Sequence, residues 1–303
     1  MDTASCCTCS QPVNRTMTVT LYSFRLSPPA RLAHLVAEVS GVQYEKVEVD
    51  LSKAEQFSRE FVAVNPLHQV PALDDHGVYM AQSRDICRHL MDRYSTSPDN
   101  DHWYPKDPAQ REEVDAWLEW SRPLHLALET AVVMARMGPQ QGMPFRDHYG
   151  VLICILGAKA RNTQAEADLW KHMEAAEELV GKRRITCVED LNLGDLATFM
   201  EISLPMECHK DFTWSNFPNL NHLYKICSKV PHFDKVHQPF LDFCEMYRHH
   251  RDAGTTATWA DLGAQVIQQV ITTSSKYAGY FRAHYWTKDG KGRPVWIGSY
   301  TCL

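Results

Sequence analysis

Hydrophobic and polar positions change their period several times along this chain. Residues 17–24 alternate, with Val19 and Leu21 on one face and Thr18, Thr20 and Tyr22 on the other, which is the period of a strand. From 29 to 40, Leu32, Leu35, Val36 and Val39 recur at helical spacing, and Gly41 supplies the stop. Residues 44–50 alternate again, so the chain opens strand–helix–strand, the unit that joins a parallel pair. Ser52-Lys-Ala-Glu55 reads as a capping box for a helix that places Phe57, Phe61 and Val62 on one face. Pro71 stands where a third strand begins, which restricts it to a strand start, an edge or a cis turn. Val78-Tyr-Met80 makes a short fourth strand after the Asp75-His-Gly77 turn, and Gln82-Ser83 opens a helix to about Tyr94.

Beyond a segment rich in Ser, Pro, Asp and Asn, the pattern turns helical. Helices are expected over 112–137, 147–160, 163–180, from Asn192 through Ile202, over 217–230 and over 236–249. Asn192 is placed to cap its helix, with Asp195 at the third position. Trp259 to Thr272 has the spacing of one more helix. Tyr285 to Trp296 has that of a hairpin around Asp289-Gly290, weakened by Pro294. Residues 1–16 are small and polar, without period, and read as a flexible extension; Met17 is a possible second start.

Composition narrows the function classes. The 303 residues are 44% hydrophobic and 22% charged, as in soluble globular proteins, and suffice for two domains. The net charge is −6 and the Lys and Arg residues are scattered, which argues against nucleic acid and against an anionic membrane surface. No apolar run reaches spanning length and no signal-peptide pattern stands at the start. Of ten cysteines, Cys6, Cys7 and Cys9 cluster and seven are dispersed from Cys87 to Cys302, which is not a disulfide framework and implies a reducing cytosol. The cluster lacks a second ligand pair for zinc, and no histidines stand at metal spacing.

Candidate chemistry sits at the first strand–helix junction. Ser27 is placed to cap the helix, and Pro28 and Pro29 suit its first turn. A helix N-terminus stabilises an anion, so a serine hydroxyl there can hold a thiolate; from this stretch alone it can equally be a plain cap.

Further residues carry a resemblance. Ser27-Pro28, Asn65-Pro66 before Val70-Pro-Ala-Leu73, and Gln82-Ser83 opening a helix together resemble the glutathione-binding domain of the glutathione transferases. Asp101-His-Trp-Tyr-Pro105 with Val114-Asp-Ala-Trp-Leu-Glu-Trp120 resembles the theta class, and Asn192-Leu-Gly-Asp-Leu196 resembles the capped core helix of the family's second domain. The resemblance spans roughly 17 to 250. It implies an α/β thioredoxin-like N-terminal domain plus an all-α C-terminal domain, the glutathione transferase fold. The chain then divides into a flexible extension at 1–16, the thioredoxin-like domain at 17–97, a linker at 98–107, the helical domain at 108–250 and an extension at 251–303.

The resemblance also implies roles. Ser27 would donate to the glutathione sulfur and favour its thiolate, with Tyr22 as a rival donor. Val70 would pair its backbone with the cysteinyl part, beside Gln69 and a cis Pro71, and Ser83 would bind the γ-glutamyl carboxylate. Gln82 replaces the usual theta glutamate and gives up a charge pairing; Gln56 replaces a histidine near the glycine end. The second substrate would meet Tyr22, Arg122, His125 and Glu129, the family arginine being Leu126 here by counting, whereas Asp115 is structural. No Cys-x-x-Cys ends the first strand, so a dithiol mechanism is disfavoured. Trp259, Tyr277, Tyr280, Phe281 and Trp286 would form an apolar lid or a dimer edge. Glutathione is implied as co-substrate, with no metal, together with a homodimer in the cytoplasm. A non-catalytic protein on the same fold is the alternative.

Overall fold

The computed structural model describes residues 18–51, 55–128, 145–146, 152–153, 158–208, 212–252, 286–288 and 294–296. The alternating stretch forms β1 (Val19–Ser23), which buries Val19, Leu21 and Ser23 and leaves Thr20 and Tyr22 half-buried on its other face. The helical spacing forms α1 (Pro28–Ser40), and Gly41 ends it in the left-handed conformation at φ 76°, where a side chain would be strained. β2 (Tyr44–Glu48) pairs in parallel with β1. β3 (Ala72–Asp75) and β4 (Val78–Ala81) form an antiparallel hairpin, and β3 runs antiparallel to β1. The sheet order is therefore β2-β1-β3-β4, with α3 (Ser83–Tyr94) following β4.

Each face of the sheet is covered. Val19, Leu21 and Leu73 pack with Leu32, Leu35 and Val36 of α1 and with Ile86 and Leu90 of α3. Tyr22 and Ala72 face the other way, against Phe61, which α2 (Arg59–Val64) presents. The expected start of α2 is corrected. A single turn of 3₁₀ helix spans Glu55–Phe57, and Ser58 caps α2 by accepting the Phe61 N–H at 3.2 Å. Ser58 takes the cap because Glu55 is occupied in front of it: its carboxylate accepts the Asp50 N–H at 2.7 Å. Ser52 lies outside the described residues.

The second half is helical: α4 (Pro108–Leu128), α5 (Ala158–Lys182), α6 (Leu193–Cys208), α7 (Pro218–Cys227) and α8 (Phe233–Asp252). α6 is its centre. Leu193, Leu196, Phe199, Met200 and Ile202 are all fully buried, as expected of a helix that is apolar all round and packs against α1, α4, α7 and α8. Asn192 and Asp195 cap it reciprocally: Asn192 Oδ1 accepts the Gly194 and Asp195 N–H groups, and Asp195 Oδ2 accepts that of Asn192. Gly194 is required where α4 crosses, because a Cβ there would stand 1.9 Å from the Trp117 ring.

The helix expected over 147–160 is also corrected, whereas the one expected over 163–180 lies within a longer helix. Leu152–Ile153 pairs with Phe145–Arg146 as β6 with β5, and one helix, α5, runs from Ala158. Leu152-Ile153 is an apolar pair that suits a strand as well as a helix. Near the end, Trp286–Lys288 (β7) pairs with Pro294–Trp296 (β8), as the hairpin pattern predicts; Pro294 is tolerated at the first position of its strand. The expected helix at Trp259 and the aromatics Tyr277, Tyr280 and Phe281 lie outside the described residues.

Candidate functional site

The sheet register gathers most of the sequence-predicted residues at one end. β1 runs toward Ser23, and its last registered pair with β3 is Tyr22 with Ala72, the first residue of β3. Ala72 in turn faces Ala81, the last residue of β4. Ser27 beyond β1, Val70 and Pro71 before β3, and Gln82 and Ser83 after β4 therefore all leave the same edge. β2 is parallel to β1, so the segment after it, which carries Gln56, leaves from that end too. The N-termini of α1 and α3 both begin there, which puts two sets of partially positive N–H groups at one place.

At the first terminus, Ser27 is the N-cap and half-buried; its Oγ accepts the Ala30 N–H at 3.4 Å. Accepting uses a lone pair and leaves the hydroxyl proton available to donate. At the second terminus Ser83 is buried, and Gln82 caps α3 with φ 72°, without a side-chain cap hydrogen bond. A non-glycine residue in that region stores strain, which concentrates at binding sites. The Val70–Pro71 peptide is cis, one of the arrangements open to Pro71 in this position and the one the family resemblance implies.

The neighbouring loop is braced from within. Asn65 Nδ2 donates to the Gln69 carbonyl at 2.7 Å, and its Oδ1 accepts the Leu67 N–H at 3.0 Å. His68 Nδ1 donates to the Gln56 carbonyl at 3.1 Å; burial holds its imidazole below the usual range, against that hydrogen bond. Gln56 Oε1 is buried and has no hydrogen-bond partner among the described residues.

The residues read as a second-substrate site do not gather in this way. Tyr22 packs its ring against Phe61 at 5.8 Å between centroids. Arg122 is exposed and paired with Glu119 on its own helix at 3.1 Å. His125 Nδ1 donates to the buried Glu201 at 2.9 Å, between α4 and α6. Glu129 lies outside the described residues. Asp115 holds α3 to α4, accepting from Arg88 at 2.7 Å and from Tyr104, in keeping with its structural reading.

A different apolar surface adjoins Ser27. Leu26, the residue before it, packs on Phe240 and Cys244 of α8, with Leu204, Leu241 and Phe243 around them. In the sequence these α8 positions show only helical spacing, which marks a core as well as a wall. Arg31 was also missed. It is buried on α1, and its charge amid Leu32, Leu35 and Val36 was the available signal.

The family model described as "Glutathione S-transferase, N-terminal domain" matches residues 17–92. This region is a glutathione S-transferase N-terminal domain. The glutathione transferase resemblance read from the sequence is thereby borne out. Over 79% of its length this chain is similar to glutathione S-transferase T1 of Arabidopsis thaliana, 26% identical and covering 96% of that protein. Glutathione S-transferase theta-1 of Rattus norvegicus is 36% identical over 34% of this chain and 42% of its own length. The match to the T2 protein of Arabidopsis thaliana, at 24% identity, covers 80% of this chain and 40% of that longer relative.

Solved structures agree on the fold. A delta-class glutathione transferase from Nilaparvata lugens matches with a TM-score of 0.60 and 26% identity, over 76% of this chain and 99% of its own. The human T1-1 enzyme in its apo form matches at 0.57 and 21%, over 84% and 98%. A homologue from Drosophila mojavensis, solved with bound glutathione, matches at 0.62 and 20%, over 77% and 97%. A thioredoxin-like glutathione S-transferase N-terminal domain followed by helices is thus the architecture of this chain.

Proposed function

We propose that this protein is a serine-type glutathione transferase of theta-like character, in which Ser27 holds the glutathione thiolate at the N-terminus of α1. The observation that carries the reading is the hydroxyl of Ser27: it accepts from Ala30 and keeps its proton for a sulfur, at the sheet end where two helix termini meet. Hydrogen bonding and the terminal dipole both favour thiolate over thiol, and lower its pKa from about 8.5 toward neutrality.

The rest of the tripeptide follows the register. Val70 presents its backbone beyond the β1–β3 ladder to the cysteinyl unit, with Pro71 shaping the turn and Gln69 beside it. Ser83 and the first turn of α3 receive the γ-glutamyl carboxylate, and the Gln82 amide bonds to the same unit. Gln56 faces the glycine end. Its Oε1 supports this, since a buried amide oxygen without a donor costs about 1–3 kcal/mol.

In the reaction the thiol proton leaves to solvent. The sulfur lone pair forms the S–C bond, and the electron pair of the broken bond departs with a halide or sulfate; addition to an activated alkene and peroxide reduction use the same thiolate. The apolar wall of Leu26, Phe243 and Leu204 suits an uncharged electrophile better than Arg122 or His125 does, both of which are engaged elsewhere. Detoxification of such electrophiles in the cytoplasm, as a homodimer, belongs to the same reading. The domain limits at 97, 108 and 250, and a lid formed by the extension from 251, are proposed with it.

Glutathione conjugation by the Ser27→Ala variant tests the assignment. Conjugation is expected to fall at least about tenfold with the fold retained, the loss of one charge-assisted hydrogen bond of about 1.5–3 kcal/mol. Unchanged conjugation would remove Ser27 from the mechanism.

A further inference from the structure

We propose that a second binding site lies at the far end of α1 from Ser27, in a cavity that takes a small organic molecule by its phosphate group. The cavity measures about 600 Å³ and lies where the end of α1, the start of β2 and the start of α8 meet. Small-molecule sites span about 300–1,000 Å³, so the volume suits one. Its lining includes His34 and Glu38 of α1, Tyr44 and Lys46 of β2, and His232 and Lys235 at the start of α8. From Ser27 to Glu38 the helix rises about 16 Å. Tyr44 is registered with Val19, the first residue of β1, whereas Ser27 lies beyond its last. The cavity is therefore separate from the sheet end at which Ser27, Val70 and Ser83 gather.

The charges around it are arranged for an anion. Among the described residues of the lining, Glu38 is the one acid, and it is already engaged. Its buried carboxylate accepts from the Tyr44 hydroxyl and from Lys235 at 2.7 Å, and His232 Nδ1 lies 3.5 Å away. Burial raises its pKa, but the hydrogen bonds from Lys235 and Tyr44 outweigh this and hold it below the usual carboxylate range. Glu38 therefore stays ionised and fixes the cations around it. Lys46 meets Glu48 at 3.2 Å, but that carboxylate is shared with Arg25, whose backbone N–H donates to it at 3.0 Å and whose guanidinium approaches to 3.5 Å. Lys46, Lys235 and Arg25 thus face Glu38 and Glu48, which leaves one positive charge over before His232 is counted.

Both lysines also bear on one imidazole. Burial first, then Lys46 and Lys235, hold His34 down at about 4 against the pull of Glu38, so it stays neutral. Two ammonium groups brought from different halves of the chain to one cavity repel each other, and an anion between them relieves that repulsion. Each ammonium has three N–H donors, and the Lys235 and His232 side chains are more than half exposed. Phosphate fits this set better than carboxylate. Ammonium groups act as point charges that reach tetrahedral oxygens from several directions, whereas a planar carboxylate is matched by the fork of an arginine. Val42 and the Tyr44 ring supply apolar surface for the organic part.

The test is calorimetric titration of the full chain with phenyl phosphate, inorganic phosphate and benzoate. Phenyl phosphate is expected to occupy one site, and to bind more tightly than either of the others. Lys46→Met, on the edge strand β2, and Lys235→Met are each expected to weaken it about tenfold through the loss of one charge-assisted contact. Saturating glutathione is expected to leave its affinity unchanged. No saturable binding to the wild type overturns the proposal, as does an unchanged affinity in either variant when circular dichroism shows it folded. Should one variant fail to fold, the other decides. Displacement by glutathione would put the phosphate in the Ser27 site and overturn the second site. Equal affinity for inorganic phosphate, or for benzoate, overturns the assignment of a phosphate ester.

Discussion

Ser27 has two hydrogen-bonding duties that do not compete. Its oxygen accepts the Ala30 N–H and its proton is left to donate, so one hydroxyl starts α1 and serves a sulfur. Ser27→Ala should therefore cost two separable things: about 1 kcal/mol of stability from the lost cap, measured by urea denaturation, and the larger loss of conjugation. Gln82 makes a second prediction at this scale. It occupies a strained φ of 72° at the start of α3, yet carries no charge for the ammonium of a γ-glutamyl group. Gln82→Glu should lower the KM for glutathione several-fold with kcat little changed, since a charge-assisted hydrogen bond is about twice as strong as a neutral one. An unchanged KM would detach Gln82 from glutathione. At this scale the sequence was legible wherever a residue type has one physical use. Gly41 and the Asn192–Asp195 box are such cases. Arg31 and Leu26 were not, because their neighbours come from α6 and α8, far along the chain.

Among the elements, α6 organises the helical half and depends on Asp195. This carboxylate is fully buried, accepting from Arg183 at 2.8 Å, Trp117 at 3.1 Å and the Asn192 N–H. Burial outweighs those bonds and pushes its pKa up to about 6. An acid with a raised folded pKa binds its proton more tightly when folded. Its contribution to stability is therefore full below about 4 and is lost as the pH rises through about 6. The unfolding free energy of the wild type should fall relative to Asp195→Asn across that window, by about 2–3 kcal/mol. Parallel pH dependences in urea melts of the two proteins would contradict this. Element types were readable from periodicity for β1, α1, α3, α6 and α8. The 147–160 helix was not, because a short apolar run such as Val151-Leu-Ile153 satisfies either period. The start of α2 was displaced because a helix cap competes with other uses of the same carboxylate, and Glu55 is turned back to Asp50.

At the scale of the whole molecule, arginines fasten the two halves. Arg84 donates to the Leu118 carbonyl and Ser121, Arg88 to Asp115 and Glu119, and Arg31 to α6 and α8. None of these pairings has a local signature, so the sequence showed two patterned halves but not how they meet. β4 is one of the two edge strands of the sheet, and it exposes Val78 and Tyr79, 61% and 52% accessible. Large apolar side chains on an open edge favour self-association. The proposed homodimer should appear as twice the chain mass of 34.7 kDa in sedimentation equilibrium, and Tyr79→Lys should weaken it. A monomeric mass across the micromolar range would contradict the homodimer.

The measurement closest to the central claim is a pH titration of glutathione bound to the wild type and to Ser27→Ala. The account predicts a thiol that ionises near neutrality in the wild type and shifts at least about one unit upward in the variant. Superimposable titrations of the two proteins would contradict it.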